Sequence, residues 1–155
     1  MLKQLDSFFE LARKKSPKTI AVAAAEDAFA LDAIRMIVEQ GLGNAILVGC
    51  REKIVTIAGR LDFDVKGIEI IDIPDKTQAC REAVALVKSG KADILMKGLV
   101  DSPIYLRAIL NKKSGIAESS LVTQLAFIQS PFYKKLFAIT DAGINISPTQ
   151  QEKRT

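Results

Sequence analysis

Histidine and tryptophan are absent from this sequence of 155 residues, and cysteine occurs only twice. Because there is no histidine, Ser-His-Asp and Cys-His catalysis are excluded, and so are zinc sites built on histidine. Cys50 and Cys80 are far apart in the sequence and match no metal-ligand spacing, so no metal site is expected. Two reduced thiols of this kind are typical of a cytoplasmic protein.

The sequence also lacks long apolar runs. No segment is apolar over the length that a bilayer requires, and the N-terminal stretch is amphipathic and carries acids. We therefore expect neither a membrane segment nor a signal peptide. Aromatic residues make up only 6% of the chain, and no dense block of lysine and arginine lies among them. The net charge of +4 thus fits an anionic small molecule, and nucleic-acid binding is not expected.

What the chain does contain is a globular composition, with 48% hydrophobic and 26% charged residues. Short apolar runs alternate with helical patterns along most of its length. Strands are predicted at residues 19–24, 45–48, 68–71 and 92–96, and helices at residues 2–15, 26–40, 51–60 and 75–88. This alternation predicts an α/β fold, a parallel sheet with helices on both faces.

The pattern changes beyond this region. Residues 111–120 are polar and contain glycine and serine, which is typical of a linker. Residues 121–128 and 136–140 are predicted strands without a helix between them, which favours an antiparallel hairpin. We therefore predict an α/β domain over residues 1–114 and the start of a second domain over residues 115–155.

Two acids, Glu26 and Asp27, follow the first predicted strand and stand where the next helix begins. Acids at this position usually cap the helix or interact with its dipole. The alternative is that they line the top of the sheet, where ligands bind in open α/β folds. Capping is the simpler interpretation, and both stay open.

The chain around the fourth predicted strand has the pattern of a strand, a glycine turn and a helix. Lys97 and Gly98 end the strand. Ser102 is a helix N-cap by its residue type, and Pro103 suits the first helical position. Arg107 lies about one turn into the helix, from where its guanidinium can reach back toward the helix start. Free N–H groups, a hydroxyl and two cations at one point predict a phosphate site, although the two cations alone also fit solvated charges beside a turn.

Several collinear stretches resemble one protein family. They are IAVAAAEDAFALDAI (20–34), GLGNAILVGCREKI (41–54), GIEIID (67–72), KADILMKGLVDSPIYLRAILNKKSGI (91–116) and FAITDAGINISPTQQEK (137–153). Together they resemble the N-terminal half of a phosphate butyryltransferase, within the phosphate acetyl/butyryltransferase family. The LMKGLV…LRA…LNK stretch and the TDAGINISPT stretch are the specific parts of this resemblance.

The resemblance implies an enzyme with two α/β domains and an active site in the cleft between them. The implied reaction is acyl-CoA + phosphate ⇌ acyl phosphate + CoA, with a short acyl chain such as butyryl. Coenzyme A is then a substrate, and no tightly bound cofactor or covalent acyl-enzyme is implied. Most of the rate would come from positioning and charge stabilisation, which suits a chain that lacks a histidine-activated nucleophile.

By position, the phosphate-side turn of the family matches Lys97, Gly98, Ser102 and Arg107. The resemblance implies that Arg107 is a bidentate clamp on phosphate, with Lys97 as a second charge and Ser102 as a hydroxyl donor. Asp141 and Asn145 match the TDAGIN segment, which the resemblance places in the cleft wall. For Asp141, a turn acid after a strand is an equally good interpretation.

Two departures from the family pattern matter. Asp101 stands where much of the family is expected to have a small hydroxyl residue, and an acid there would repel phosphate if it pointed inward.

The chain is also much shorter than family members, so we expect a fragment or a truncated gene product. Weak phosphate binding, little or no transferase activity, and self-association into a homo-oligomer through an uncovered hairpin are then expected. The alternatives are a non-catalytic module that binds phosphate or CoA, and an interaction fragment.

Overall fold

The computed structural model describes residues 4–118 and 122–140. Its elements in chain order are α1 (Asp6–Arg13), β1 (Lys18–Ala23), α2 (Ala28–Glu39), β2 (Gly43–Gly49), α3 (Arg51–Arg60), β3 (Glu69–Asp72), α4 (Lys76–Lys88), β4 (Ile94–Lys97), α5 (Ser102–Ile109), β5 (Leu125–Ser130) and β6 (Tyr133–Thr140). Every strand that the sequence predicts is present, with bounds that shift by a few residues. None of the helices in the described ranges is long and apolar enough to cross a bilayer.

Strands β1 to β4 form one parallel sheet in the order β3-β2-β1-β4. In the central strand β1, Ala21 lies opposite Ile46 of β2 and Leu95 of β4. Hydrophobic side chains of α2 and α3 pack in one core, and those of α4 and α5 pack in another. The prediction of a parallel α/β sheet with helices on both faces is therefore confirmed.

Strand β1 contributes to both cores because its side chains alternate between the faces of the sheet. Ala21 and Ala23 belong to the core under α4, where they meet small residues such as Ala79. Ile20 and Val22 belong to the core under α2 and α3. The methyl side chains on one face leave room for α4 to lie close to the sheet, and the larger ones fill the opposite layer.

Strands β5 and β6 form a separate two-stranded sheet, in which they pair antiparallel. The predicted hairpin is confirmed, although its first strand begins at Leu125, later than the pattern predicts. The pairing register shifts between Ile128 and Ser130, next to the turn. The chain thus leaves the parallel sheet after α5, as the change in sequence pattern indicates.

Two compact units divide the chain. One spans Ser16–Ala117 and contains the parallel sheet, and the other combines the segment that ends at Lys15 with the segment that starts at Glu118. Within this second unit, the rings of Phe8 in α1 and Phe127 in β5 lie 5.1 Å apart. Helix α1 therefore belongs with the hairpin, whereas the sequence pattern placed it in the first domain. That the hairpin begins a second domain stays a prediction.

Replacing Ile54 by alanine tests the core beneath α3. Ile54 is fully buried, so the truncation leaves a cavity, and we expect the free energy of unfolding to fall by about 2–5 kcal/mol. Its neighbour Val55 is 48% exposed, so Val55→Ala is expected to change this free energy by less than about 0.5 kcal/mol. Urea unfolding followed by circular dichroism measures both variants. Equal losses would contradict the orientation of α3 on the sheet.

Candidate functional site

The strand order β3-β2-β1-β4 places a topological switch point between β1 and β4. Strand β2 continues the sheet on one side of β1, and β4 lies on the other side. In open α/β sheets, ligands bind outside the carboxyl ends of the strands at such a point. Here the two strands end at Ala23 and Lys97. The predicted phosphate turn therefore follows the strand end where this fold favours a ligand.

The ends of β1 and β4 meet through backbone atoms. The Gly98 N–H donates to the Ala23 carbonyl at 2.8 Å, and the Leu99 N–H donates to the Ala24 carbonyl at 2.9 Å. A Cβ on Gly98 would overlap the carbonyl oxygen of Ala24 and lie 2.9 Å from its carbonyl carbon. Ala24 itself has a φ of +54°, a left-handed conformation that is uncommon for a residue with a side chain. Glycine at position 98 is what permits this approach.

A hollow of about 160 Å³, here called the Lys97 hollow, opens beside this junction. It is lined by Lys76, Lys97, Gly98, Leu99, Val100, Asp101 and Ile104. The Lys97 ammonium donates to the Val100 carbonyl at 2.8 Å, which folds the side chain over the turn. Lys76 adds a second cation, and Asp101 adds one acid. The excess of positive charge favours a small anion.

The start of α5 differs from its prediction by one residue. The helix begins at Ser102, Pro103 stands at the second helical position, and the N-cap is Asp101, whose side chain makes no capping hydrogen bond. The reason is that the Asp101 carbonyl accepts from the amides of Ile104 and Tyr105, at 3.0 and 3.2 Å. The prediction of Ser102 as N-cap is therefore wrong. Ser102 is exposed in the first helical turn, and Asp101 lines the Lys97 hollow.

Arg107 lines a second hollow of about 90 Å³, here called the Arg107 hollow. Its lining residues are Thr77, Arg81, Ile104, Arg107, Ala108, Asn111 and Ser114. The sequence predicted that Lys97 and Arg107 converge on one point, but the two side chains line different hollows. No residue in the described ranges forms an ion pair with Arg81 or Arg107. The described residues therefore offer neither guanidinium group a carboxylate partner.

Arg81 is not recognisable as a site candidate from the sequence alone. On its own it is one exposed base on an amphipathic helix, and nothing in its spacing singles it out. Its partner Arg107 lies on the next helix, and α4 and α5 pack in the same core. The two arginines come together because α4 and α5 pack side by side, and no local sequence motif indicates this.

The structure separates the roles of the two acids after β1. Asp27 is the N-cap of α2, and its carboxylate accepts from the Ala30 N–H at 3.0 Å. Glu26 makes no such bond and is only 7% exposed, beyond the carboxyl end of β1. Capping is thus confirmed for Asp27 and wrong for Glu26. The other two predicted site residues, Asp141 and Asn145, lie outside the described residues.

Two ionisable groups near the junction keep their protons at neutral pH. Burial raises the pKa of the Cys80 thiol, and the positive charge of Lys97 only partly offsets this effect. Burial also raises the pKa of Tyr105 to about 12, and its hydroxyl donates to the Leu95 carbonyl at 3.3 Å. Neither side chain is therefore an ionised nucleophile or base at neutral pH. The described residues contain no group of three Cys, Asp or Glu side chains placed to hold a metal ion.

Comparison with known proteins relates this geometry to a family. The sequence matches the family described as phosphate acetyl/butaryl transferase over two overlapping stretches, residues 4–83 and 76–155. The chain belongs to this transferase family. The resemblance drawn from the sequence motifs is therefore confirmed, and both hollows lie in a chain of this family.

Curated relatives in this family are transferases with assigned substrates. The chain is 39% identical to the phosphate butyryltransferase of Clostridium beijerinckii and 36% identical to that of Clostridium acetobutylicum, each over 153 residues. It is 31% identical to the phosphate acetyltransferase of Thermotoga maritima, over 96% of this chain and 50% of the relative. The two clostridial comparisons cover 99% of this chain and 51% of each relative. The chain thus spans about half the length of the curated relatives that it matches.

Solved structures of phosphotransacylases have the same fold. A branched-chain phosphotransacylase from Enterococcus faecalis V583 superposes with a TM-score of 0.73 at 22% identity, over 87% of this chain and 46% of that one. A phosphotransacetylase from Streptococcus pyogenes gives a TM-score of 0.71 at 20% identity, over 96% of this chain and 55% of that one. At these identities the likeness shows the fold alone.

Gly98→Ala tests the junction between β1 and β4 in this transferase chain. The new Cβ would collide with backbone atoms of Ala24, which cannot move as a side chain can, so we expect a loss of about 1–3 kcal/mol in unfolding free energy. Gly59→Ala is the matched control, since a Cβ there meets nothing within 4 Å. It lies in α3, where alanine is expected to add about 0.5–1 kcal/mol. Thermal and urea unfolding measure both, and wild-type stability in Gly98→Ala would show that the strand ends do not meet in this way.

Proposed function

We propose that this chain supplies the phosphate-binding half of a phosphate acyltransferase, which catalyses acyl-CoA + phosphate ⇌ acyl phosphate + CoA. The observation that carries the proposal is the Lys97 hollow, a cationic site beside the switch point in a chain of this transferase family. The clostridial relatives named phosphate butyryltransferase support a short acyl chain such as butyryl. Coenzyme A acts as a substrate, and the proposal needs no tightly bound cofactor.

We assign inorganic phosphate to the Lys97 hollow. Lys76 and Lys97 supply two positive charges, and the amino-terminal end of α4 at Lys76 adds its dipole. Ser102 does not line the hollow, but it lies in the first turn of α5 next to Asp101, and we propose that its hydroxyl donates to the same anion. Asp101 opposes binding, because this acidic residue lines the same hollow. The site therefore binds phosphate weakly, as the departure at Asp101 indicates.

We assign the phosphate groups of CoA to the Arg107 hollow. Arg81 and Arg107 each carry a planar fork of donors, which matches two phosphate oxygens at once. Asn111 and Ser114 line the same hollow and add neutral donors. Ile104 lines both hollows, so the two anion sites are neighbours along α5. We thus propose two sites for the two anionic substrates, where the sequence predicted a single phosphate site.

The proposed chemistry depends on positioning. An oxygen of phosphate held in the Lys97 hollow attacks the thioester carbonyl, the thiolate of CoA leaves, and the proton of hydrogen phosphate ends on the sulfur. Cationic side chains nearby offset the negative charge that builds on the carbonyl oxygen. Asp141 and Asn145, which match the TDAGIN segment, are proposed to form part of the cleft wall.

The rest of the cleft is proposed to come from the half of the relatives that this chain does not match. A half-built cleft neither excludes water nor aligns the thioester with phosphate, and alignment alone contributes about 7–11 kcal/mol. The exposed apolar side chains of the hairpin, such as Phe132 and Leu125, favour a homo-oligomer. The two free cysteines suit the cytoplasm as the place of reaction.

Calorimetry and a turnover assay on the 155-residue chain test this proposal together. Phosphate and CoA are titrated separately, and CoA release is followed with butyryl-CoA or acetyl-CoA plus phosphate. We expect both substrates to bind and turnover to fall well below the ordinary range of about 1–10³ per second. Light scattering on the same sample reports the oligomer. If neither substrate binds, the proposed function is wrong. Turnover in the ordinary range would show that this half is catalytically self-sufficient.

Arg107→Lys tests the assignment of the second hollow. Lysine keeps the charge but loses the fork, so we expect CoA binding to weaken by about 1–2 kcal/mol while binding of inorganic phosphate is unchanged. Arg60→Lys, on the exposed surface of α3, is the matched control and should bind both substrates as the wild type does. Calorimetry measures the affinities. A loss of phosphate affinity in Arg107→Lys would instead show that Arg107 belongs to the phosphate site predicted from the sequence.

A further inference from the structure

The loop that follows α5 is held in one conformation by its own backbone. The Gly115 N–H donates to the Asn111 carbonyl at 2.8 Å, and the amides of Ile116 and Ala117 donate to the Ile109 carbonyl at 3.1 and 3.3 Å. A Cβ on Gly115 would overlap the carbonyl oxygens of Ile109 and Asn111. The loop therefore folds back tightly onto the end of α5, and glycine is what permits this return.

Helix α4 holds the same loop from a second direction. The ammonium group of Lys88, in the last turn of α4, donates to the Lys113 carbonyl at 2.7 Å. Helices α4 and α5 also pack in the same core, and they carry Arg81 and Arg107. The loop is thus attached to both of the helices that supply guanidinium groups to the Arg107 hollow.

The side chain of Asn111 takes part in this loop through only one end of its amide group. Its Oδ1 accepts from the backbone N–H groups of Lys113 and Ser114, each at 3.0 Å. Because the NH₂ end of an amide cannot accept from backbone N–H groups, these two bonds decide which end is the oxygen. Among the described residues they are the only hydrogen bonds of this side chain, so both Nδ2 donors are left over.

Asn111 lines the Arg107 hollow beside two guanidinium groups. Arg81, Arg107 and Ser114 line it as well, and the described residues offer neither arginine a carboxylate partner. A guanidinium group has five N–H donors and no acceptor, and the Nδ2 of an amide likewise only donates. The nitrogen donors at this hollow therefore match an oxygen anion.

We propose that Asn111 donates through its Nδ2 to a phosphate oxygen of CoA in the Arg107 hollow, and that the loop after α5 orients the amide for this contact. The inference rests on the proposed function, because it adds a specificity-determining residue to the CoA site. Rotating the amide to present its oxygen would break two hydrogen bonds, so the hollow meets a donor at this position. Since the loop fixes the donor before CoA arrives, little ordering is left to oppose binding.

A purely structural role for Asn111 is the competing explanation. Asparagine and aspartate both stabilise turns, because a side-chain oxygen accepts from backbone amides further along the chain. Aspartate at position 111 therefore keeps the turn and replaces the Nδ2 donors with an oxygen, but it also adds a negative charge. Serine supplies a weaker acceptor for the same turn without any charge, and its side chain is too short to take the place of Nδ2.

Asn111→Asp and Asn111→Ser test the proposal together. CoA and inorganic phosphate are titrated separately by calorimetry into the wild-type chain and each variant. We expect both variants to bind CoA at least about fivefold more weakly, because each loses a hydrogen bond to a charged group. Phosphate affinity is expected to stay unchanged, since Asn111 does not line the Lys97 hollow. Hydrogen exchange at the Lys113 and Ser114 amides, followed by NMR, reports whether the turn persists.

Asn44→Asp is the matched control, because it makes the same charge change at an exposed position near the start of β2 and should bind CoA as the wild type does. Wild-type CoA affinity in Asn111→Ser with the turn intact overturns the inference and leaves the CoA site standing, even if Asn111→Asp binds weakly.

If Asn111→Ser loses the turn, Asn111→Asp and the wild type are compared again at 0.5 M salt, which screens the added charge. A loss of about fivefold that persists there supports the donor role, and equal affinities overturn it. If the wild type does not bind CoA at all, the CoA site and this inference are removed together.

Discussion

The carboxyl end of the sheet depends on the close backbone contact between Gly98 and Ala24. The amides of Gly98 and Leu99 bond to consecutive carbonyls at the end of β1, and no side chain fits between the two strands there. This contact fixes the turn that follows β4. Because the ammonium of Lys97 bonds to the carbonyl of Val100 in that same turn, the charge of the Lys97 hollow is held by the backbone as well. The start of α5 then follows from where the turn ends.

Local chemistry made most of the fold predictable from the sequence. Asp75 opens α4 as its residue type indicates, and its carboxylate accepts from the Gln78 N–H at 2.8 Å. The start of α5 was harder, since Asp101 and Ser102 are adjacent and both are common caps, so residue type alone does not choose between them. The site was harder still. The meeting of Arg81 with Arg107 depends on how two helices pack, and no spacing along the chain records it.

The separation of the cationic groups into two hollows has a physical consequence for acyl transfer. Both substrates of the proposed reaction are anions, and they repel each other when they approach. Two cationic hollows that share Ile104 would neutralise each proposed substrate separately and keep a fixed distance between them. Because the shared residue lies on a helix, this distance changes little with side-chain motion. In the proposed reaction, this arrangement would therefore reduce the electrostatic cost of bringing the two substrates together.

Several features that reduce stability lie at the carboxyl end of the sheet, although Asp62 also has a left-handed backbone and Gly43, at the opposite end, also leaves no room for a Cβ. Ala24 has a left-handed backbone, and Gly49 and Gly98 have no side chain where one would collide. Glu26 is buried, and one of its oxygens has no hydrogen-bond partner among the described residues. The cores on either side of the sheet contain ordinary, fully buried aliphatic side chains, Leu47 and Val84 among them. Such packing tolerates a local cost of a few kcal/mol, and strain of this kind persists only where the surrounding structure enforces it. Since the carboxyl end contains the switch point, a binding site at the ends of β1, β2 and β4 would give the costs at that end a function.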